Sequence, residues 1–119
     1  MNKLTVGSAT YKILNISGGE FDEDIQGHTH GESCYEMHYV YAGRGSLETK
    51  DKSYKLSEGC VYVNGPMLWH KQSTDRENPL CEICIFIQLQ ESGDDVISHI
   101  FNSTNLYLGK GSKELKSLF

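Results

Sequence analysis

The sequence contains no cluster of lysine and arginine residues and no long hydrophobic run. Its 11 basic residues are scattered among 16 acidic residues, and the formal net charge is −5. Because binding to nucleic acid phosphates requires clustered basic side chains, this distribution argues against a nucleic-acid-binding surface on the chain. The lack of a transmembrane run and of a signal-peptide pattern at the N-terminus predicts a cytoplasmic protein without membrane contact.

A zinc-knuckle turn is also missing, although two of the four cysteines have a suitable spacing. Cys81 and Cys84 lie in a mainly apolar run that is typical of a strand. Since successive strand residues face opposite sides, these two side chains would point away from each other. We therefore expect free thiols, as in a reducing compartment, for all four residues: Cys34, Cys60, Cys81 and Cys84.

The 119 residues do contain enough apolar material for one packed domain. The hydrophobic fraction is 38% and the aromatic fraction 10%, so disorder is not expected. Short segments rich in β-branched and aromatic residues alternate with glycine-containing turns about every 8–12 residues, which predicts a β-sandwich or barrel. The predicted strands span residues 11–16, 35–42, 46–50, 53–56, 60–64 and 81–90, whereas 17–27 and 71–78 are expected to be loops.

The pattern changes to helical spacing after residue 90. Small and acidic residues, Ser92 to Asp95, precede the apolar positions of this segment, as is common at a helix N-terminus. The predicted helix spans residues 94–105 and carries an apolar stripe made of Val96, Ile97, Ile100 and Phe101.

A second amphipathic segment, residues 112–119, follows a break over residues 102–111. Because this segment ends on its own apolar residues, we expect the chain to be a fragment of a longer protein. The predicted division is a β-barrel domain over residues 1–91 and a helical tail over residues 92–119, which would begin a dimerisation or linker segment.

Histidines and a glutamate recur at strand spacing in the central part of the sequence. His28 and His30 would share one face of an extended segment, and so would Glu36 and His38. A fold that also brings His70 alongside them would make these residues a cluster.

The segment from residue 27 to 70 resembles the two motifs of the cupin superfamily. The first motif is a His-x-His pair followed by a glutamate and a glycine, which here are His28, His30, Glu36 and Gly43. The second motif is approximated by Gly59, Pro66 and His70. The resemblance implies a mainly β fold, an antiparallel jelly-roll barrel with one or two C-terminal helices, in which the two motifs meet.

This sequence departs from the cupin pattern at two positions near the histidines. The stretch between His30 and Glu36 is longer than usual in the family, and Met67 stands where a glycine is common after the proline. The longer stretch places Glu32 closer to the histidine pair than Glu36 is. Glu32 is therefore an alternative ligand in its place.

Within the cupins, residues 35–45 and 54–63 are most similar to the N-terminal ligand-binding and dimerisation domain of AraC-type transcription regulators. This resemblance implies a small-molecule effector, for example a sugar or another metabolite, and a homodimer. It also implies that DNA is bound by a pair of helix-turn-helix units in a C-terminal domain that is absent from this sequence.

Two interpretations of the histidine cluster stay open, besides plain packing. In the first, His28, His30, Glu36 and His70 bind a divalent metal such as Zn, Ni, Fe or Mn. In the second, an organic effector occupies the barrel mouth and no cofactor is required. The candidate ligand-binding residues are then His28, His30, Glu36, His38, Trp69 and His70, with Trp69 as a stacking wall.

The leading functional hypothesis from the sequence is a sensor domain that is not an enzyme. The alternative is a free-standing metal-dependent cupin enzyme, in which three histidines and a glutamate hold a metal that acts as Lewis acid or oxygen activator. A structural dimerisation domain that senses nothing is the third hypothesis.

Overall fold

The computed structural model describes residues 2–21, 23–28, 30–102 and 105–110. Within these ranges the chain forms ten strands and one helix. The strands are β1 (Lys3–Val6), β2 (Ala9–Phe21), β3 (Ile25–His28), β4 (Cys34–Ala42), β5 (Arg44–Thr49), β6 (Ser53–Ser57), β7 (Cys60–Asn64), β8 (His70–Thr74), β9 (Leu80–Glu91) and β10 (Asn105–Lys110), and the helix is α1 (Val96–Phe101).

The strands form two antiparallel sheets that face each other, so the predicted mainly β, cupin-like jelly-roll barrel is confirmed. The order in the larger sheet is β1-β2-β9-β4-β7-β10, and in the smaller sheet it is β3-β8-β5-β6. The predicted strands over residues 46–50 and 53–56 correspond to β5 and β6, which pair as a hairpin. In the larger sheet, β4 lies between β7 and β9 and is therefore surrounded by backbone partners on both sides.

Two apolar clusters hold this barrel together. The inner cluster lies between the sheets and consists of Val40, Leu47, Leu56, Cys60, Tyr62 and Leu80. The outer cluster covers the other face of the larger sheet and consists of Ala9, Tyr11, Tyr35, Val63, Ile87 and Phe101. Since burial of one large apolar side chain contributes about 1.5–3 kcal/mol, these clusters provide most of the stabilisation of the fold.

Cross-strand register determines which polar side chains enter the barrel. His38 of β4 lies opposite Tyr62 of β7 and opposite Cys84 of β9. Two residues earlier on β4, Glu36 lies opposite Asn64 of β7. Because alternate strand residues share a face, Glu36 and His38 project to the same side of the sheet, together with the residues that lie opposite them. The predicted common face of Glu36 and His38 is therefore part of the barrel interior.

Glycine-containing and polar segments form strands that the sequence pattern did not predict. β2 extends through Gly18 and Gly19 to Phe21, and β3 follows it, so the predicted loop over residues 17–27 is wrong. β8 likewise occupies the first half of the predicted loop over residues 71–78. Each of these segments pairs with a neighbouring strand, and such pairing outweighs weak local propensity.

The tail contains one helix among the described residues, and it is shorter than predicted. α1 begins after Asp95, whose side chain accepts a hydrogen bond from Ser98 N, and Asn102 is its C-cap. The stretch predicted as a break contains β10, which pairs with β7. The predicted second helix, residues 112–119, lies outside the described residues, and the domain division after residue 91 stays a prediction. No helix in the described part of the chain is long and apolar enough to cross a membrane.

Gly43 connects β4 to β5 at a position where no side chain fits. Its backbone is left-handed, with a φ of 81°. A Cβ atom at this position would lie 1.8 Å from the carbonyl oxygen of Pro79 and 2.9 Å from the Cα atom of Leu80. The motif glycine therefore allows β4 to turn directly beside the start of β9.

We expect Gly43→Ala to lower the free energy of unfolding by ~3 kcal/mol, because it adds a collision with backbone to a left-handed conformation. Gly109→Ala is the matched control, since its φ is 62° but the nearest atom to an added Cβ is 3.8 Å away. The control variant should lose only about 1 kcal/mol. Urea unfolding of both variants measures the difference, and equal losses would show that the collision is relieved without a penalty.

Candidate ligand and metal site

One carboxylate and two imidazoles converge inside the barrel. Glu36 projects from β4, His70 begins β8, and His30 follows β3. Glu36 Oε2 lies 3.5 Å from His30 Nε2, and Glu36 Oε1 lies 3.8 Å from His70 Nε2. The centroids of the two imidazole rings are 5.0 Å apart. We call His30, Glu36 and His70 the mouth cluster, since His30 and Glu36 retain side-chain exposures of 15% and 21%.

The orientation of His70 is fixed by the chain around it. His70 Nδ1 donates a hydrogen bond to the carbonyl oxygen of Leu68 at 3.0 Å, so Nε2 is turned towards Glu36. The backbone of His28 pairs with that of His70, but the side chain of His28 lies outside the described part of the structure. Three of the four residues of the predicted metal site are thus brought together, and Glu32, the alternative ligand, is exposed.

A second cluster lies deeper in the barrel and is joined to the first through Glu36. His38 Nε2 donates to Glu36 Oε1 at 2.5 Å. His38 Nδ1 lies 3.1 Å from Cys84 Sγ and 3.6 Å from Glu82 Oε2. The His38 ring stacks on Tyr62 at a centroid distance of 4.3 Å, and the Tyr62 hydroxyl is 3.0 Å from Glu82 Oε1. We call His38, Glu82 and Cys84 the deep cluster.

These contacts change the protonation of Glu36 and His38. Burial alone would raise the pKa of Glu36, but hydrogen bonds and positive charge from His30 and His38 outweigh it and hold the pKa well below its usual range. Burial alone would lower the pKa of His38, yet hydrogen bonds to the Cys84 sulfur and to two carboxylates raise it well above its ordinary value. The geometry therefore favours an imidazolium at His38 beside an ionised Glu36.

The mouth cluster has the donor atoms of a divalent metal site. One ligand atom from each of its three residues lies within 4.8 Å of the others. Imidazole nitrogens with a carboxylate suit Zn, Ni, Fe or Mn, and such an ion, when bound, supplies Lewis-acid chemistry. The same nitrogens and oxygens can form hydrogen bonds with an organic ligand. The residues present therefore fit both interpretations made from the sequence.

Trp69, predicted as a stacking wall for a ligand, lies beside His70 and packs on the chain itself. A Cβ atom added to Gly27 would lie 2.2 Å from Trp69 Cζ2, so the indole ring occupies the space of a side chain at that position. Trp69 is half-buried by this contact. Its role in ligand stacking, like the binding roles of the histidines, stays a prediction.

The polar residues that surround His38 carry little signal in the sequence. Gln72, which contacts the Tyr62 hydroxyl, falls in a segment predicted as a loop. Glu82 offered a usable signal, because it is the one charged residue in the apolar run over residues 80–87. A carboxylate at the centre of an apolar strand needs a buried partner, and His38 on the adjacent strand is that partner.

The barrel and its polar interior define the chain as a ligand-binding domain of the cupin type. Residues 10–94 match the AraC-like ligand binding domain family, and the chain belongs to that family. The matched residues extend from β2 to the segment before α1 and include both clusters. No curated protein sequence shows a significant match to the chain.

Several solved structures share this fold at low sequence identity. A cupin protein from Bacteroides fragilis is 18% identical, with a TM-score of 0.54 over 79% of this chain and 76% of that protein. ToxT from Vibrio cholerae, bound to an unsaturated fatty acid, is 11% identical, with a TM-score of 0.57 over 97% of this chain. YhaK from Escherichia coli is 8% identical, with a TM-score of 0.52 over 85% of this chain. The chain spans 46% of ToxT and 40% of YhaK, so it corresponds to a part of each.

We expect the stability of the protein to fall as pH rises above about 6.5, because folded His38 retains a proton that the unfolded chain has released. A pKa raised above the ordinary value of 6.5 stabilises the fold at low pH, and this contribution is lost as pH rises through the folded-state pKa. The loss approaches about 1.4 kcal/mol per pH unit for one proton. Urea unfolding in the presence of a chelator measures it, and His38→Gln should remove this slope.

His99→Gln is the matched control for this pH dependence, because His99 is exposed on α1. The control variant should keep the slope of the wild-type protein. Glu36 does not contribute in this pH range, since its lowered pKa affects stability only under acidic conditions. Equal slopes in the wild-type protein and in His38→Gln would contradict a protonated His38.

Met67 adopts a left-handed backbone with a φ of 59° while its side chain is 64% exposed. We expect Met67→Gly to raise the free energy of unfolding by ~1 kcal/mol, because glycine relieves the strain and little burial is lost. Met67→Ala retains a Cβ atom and should give no gain. Urea unfolding compares the two variants, and a similar effect of both would rule out backbone strain as the cause.

Proposed function

We propose that this chain is the effector-binding and dimerising domain of an AraC-type transcription regulator of the cytoplasm, whose helix-turn-helix part lies outside these 119 residues. The observation that carries the proposal is the convergence of His30, Glu36 and His70 inside the barrel of an AraC-like ligand binding domain. His38 extends this polar surface towards the barrel centre. A family defined by ligand binding favours a regulatory role over catalysis.

The effector that suits the mouth cluster best is a small molecule with several hydroxyl groups, such as a sugar. The ionised carboxylate of Glu36 accepts hydrogen bonds from hydroxyl groups, and the imidazoles of His30 and His70 lie beside it. A long apolar ligand would bury these groups without replacing their hydrogen bonds to water, which is unfavourable. A fatty acid, as bound in the ToxT structure, is therefore a poorer candidate for this chain.

β4 offers a physical route from the pocket to the tail. Glu36 faces the interior, whereas the preceding residue, Tyr35, faces the outer side. The ring centroids of Tyr35 and of Phe101 on α1 are 6.1 Å apart. The ring of Tyr11 contacts both, with centroid distances of 5.6 Å to Tyr35 and 5.3 Å to Phe101. An effector that binds one arrangement of β4 more tightly than another would therefore change the packing of α1.

The dimer contact is assigned to the outer side of α1. Ser98 and Phe101 are buried against the barrel, whereas Val96, Ile97 and Ile100 are 72%, 60% and 53% exposed. The helix therefore docks on the barrel through one side and presents apolar side chains on the other. A self-complementary patch of this kind suits an interface between two copies of the chain.

A metal-dependent cupin enzyme is the second candidate, and the donor set of the mouth cluster favours it. Three ligand atoms from His30, Glu36 and His70 lie close enough to share one ion. Catalysis also requires a positioned acid or base at the reacting group. His38, the nearest further titratable group, is held between carboxylates on two strands.

Thermal unfolding with a panel of neutral sugars and polyols tests the effector proposal. An effector at a hundred times its Kd should stabilise the wild-type protein by about 2.7 kcal/mol. Glu48→Gln, an exposed control on β5, should respond like the wild type, and Glu36→Gln should not respond. A response to fatty acids alone, or an equal response of Glu36→Gln, would overturn the proposal. A retained metal together with turnover of a small substrate would instead support the enzyme.

Analytical ultracentrifugation tests the dimer contact. We expect the wild-type chain to sediment as a dimer and Ile97→Asp as a monomer, because a charge would be buried in the interface without a partner. Ile16→Asp is the matched control, since Ile16 is also 60% exposed but lies on β2. A dimer that persists in Ile97→Asp and is lost in Ile16→Asp would place the contact on β2. A wild-type monomer at all concentrations would reject the dimerising role.

A further inference from the structure

We propose that the deep cluster is a second metal site, separate from the mouth cluster, in which His38, Glu82 and Cys84 bind a zinc ion or a similar first-row divalent cation. This inference does not depend on the identity of the effector. It assigns a function to the residues that surround His38, which effector binding at the mouth leaves unexplained.

The three residues are held by adjacent strands in the middle of the larger sheet. His38 of β4 lies directly opposite Cys84 of β9, and Glu82 lies two residues earlier on β9, opposite Val40. Because alternate residues share a face, Glu82 and Cys84 both point into the barrel. Sites on paired strands are held more firmly than sites on loops.

The distances between the donor atoms fit a tetrahedral ion. His38 Nδ1 is 3.1 Å from Cys84 Sγ and 3.6 Å from Glu82 Oε2, and all three atoms lie within 4.8 Å of each other. Zinc bonds of about 2.0–2.3 Å at tetrahedral angles place neighbouring donor atoms roughly 3.3–3.6 Å apart. Binding would therefore require only small side-chain movements.

Neighbouring groups already orient two of the three ligands, His38 and Glu82, as in a metal site. His38 Nε2 donates to Glu36 Oε1 at 2.5 Å, so Nδ1 is the nitrogen that faces Cys84 and Glu82. A histidine that binds a metal through one nitrogen commonly donates from the other to a carboxylate. The second oxygen of Glu82, Oε1, is 3.0 Å from the Tyr62 hydroxyl, which leaves Oε2 turned towards His38.

Glu82 supplies an independent indication of a bound cation. Its side chain is fully buried, and Oε2 has no hydrogen bond of ordinary length, since His38 Nδ1 lies 3.6 Å away. A buried carboxylate oxygen requires positive charge nearby, and in the metal-free protein the imidazolium of His38 supplies it at this distance. A divalent ion that replaces the proton on His38 Nδ1 would bring the charge into direct contact with Oε2, and with a carboxylate, a thiolate and a neutral imidazole the centre would carry no net charge.

The donor set selects the class of metal. Sulfur, nitrogen and oxygen together suit zinc and related first-row ions, whereas magnesium and calcium prefer oxygen alone. Three protein ligands leave one position for water or for a group of a bound molecule. All three ligand groups are buried, while Cys84 as a whole residue keeps partial exposure.

Cobalt substitution tests this site with the metal alone as the probe. Metal-free protein titrated with Co²⁺ should bind it and show a near-ultraviolet thiolate-to-cobalt charge-transfer band, which Zn²⁺ abolishes by displacement. Cys84→Ser should lose the band. Cys81→Ser is the matched control and should keep it, because Cys81 lies on the same strand but its thiol donates to the carbonyl oxygen of Pro79.

Further variants separate this site from the mouth cluster. His70→Ala should keep the charge-transfer band, and loss of the band in that variant would show that the metal depends on the mouth cluster and would overturn a separate deep site. A band that survives in Cys84→Ser, or wild-type protein that binds no Co²⁺, would overturn the proposal. If Cys84→Ser does not fold, alkylation of the wild-type protein answers the question. Zn²⁺ should slow the labelling of Cys84, measured by peptide mass, and unchanged labelling would reject the site.

Discussion

The hydrogen bond between Glu36 and His38 connects the polar groups at the centre of the barrel. One carboxylate oxygen of Glu36 faces His30 and the other faces His38, whose second nitrogen faces Glu82 and Cys84. Inside a protein, an ionised carboxylate is stable only when positive charge or hydrogen-bond donors lie beside it. The ionisation of Glu36 and the orientation of His38 therefore depend on each other, and together they set the charge seen by any molecule that enters.

A polar centre of this kind needs a rigid apolar frame, and Tyr62 shows how the two are joined. Its ring belongs to the inner apolar cluster and also stacks on His38, while its hydroxyl contacts Glu82. A shift in core packing would therefore move the imidazole and the carboxylate together. Gly43 contributes to this frame at the end of β4, the strand that carries His38. Because it has no side chain, the chain there can lie close to Pro79 and the start of β9.

Much of the fold and the approach of His70 to Glu36 in the mouth cluster could be predicted from the sequence, whereas the deep cluster could not. Alternation in β4 placed Glu36 and His38 on one face, and motif spacing suggested the barrel in which His70 meets Glu36. Patterns along the chain could not predict β8 or β10, since their pairing depends on strands distant in sequence. For the same reason the partner of Glu82 was not apparent. The side-chain contacts of the deep cluster arise from the register between β4 and β9, which no single segment specifies.

The two clusters are joined by the hydrogen bond from His38 to Glu36, so ligands in both would affect each other. A metal on His38 Nδ1 would replace the proton that this nitrogen holds in the imidazolium, while Nε2 would keep its hydrogen bond to Glu36 Oε1. The charge beside Glu36 would therefore change when the deep metal binds. Linkage requires that an effector on Glu36 and a metal in the deep cluster change each other's affinity by the same factor. Since β4 also carries Tyr35 against Phe101, both ligands would act on the one strand that leads to α1.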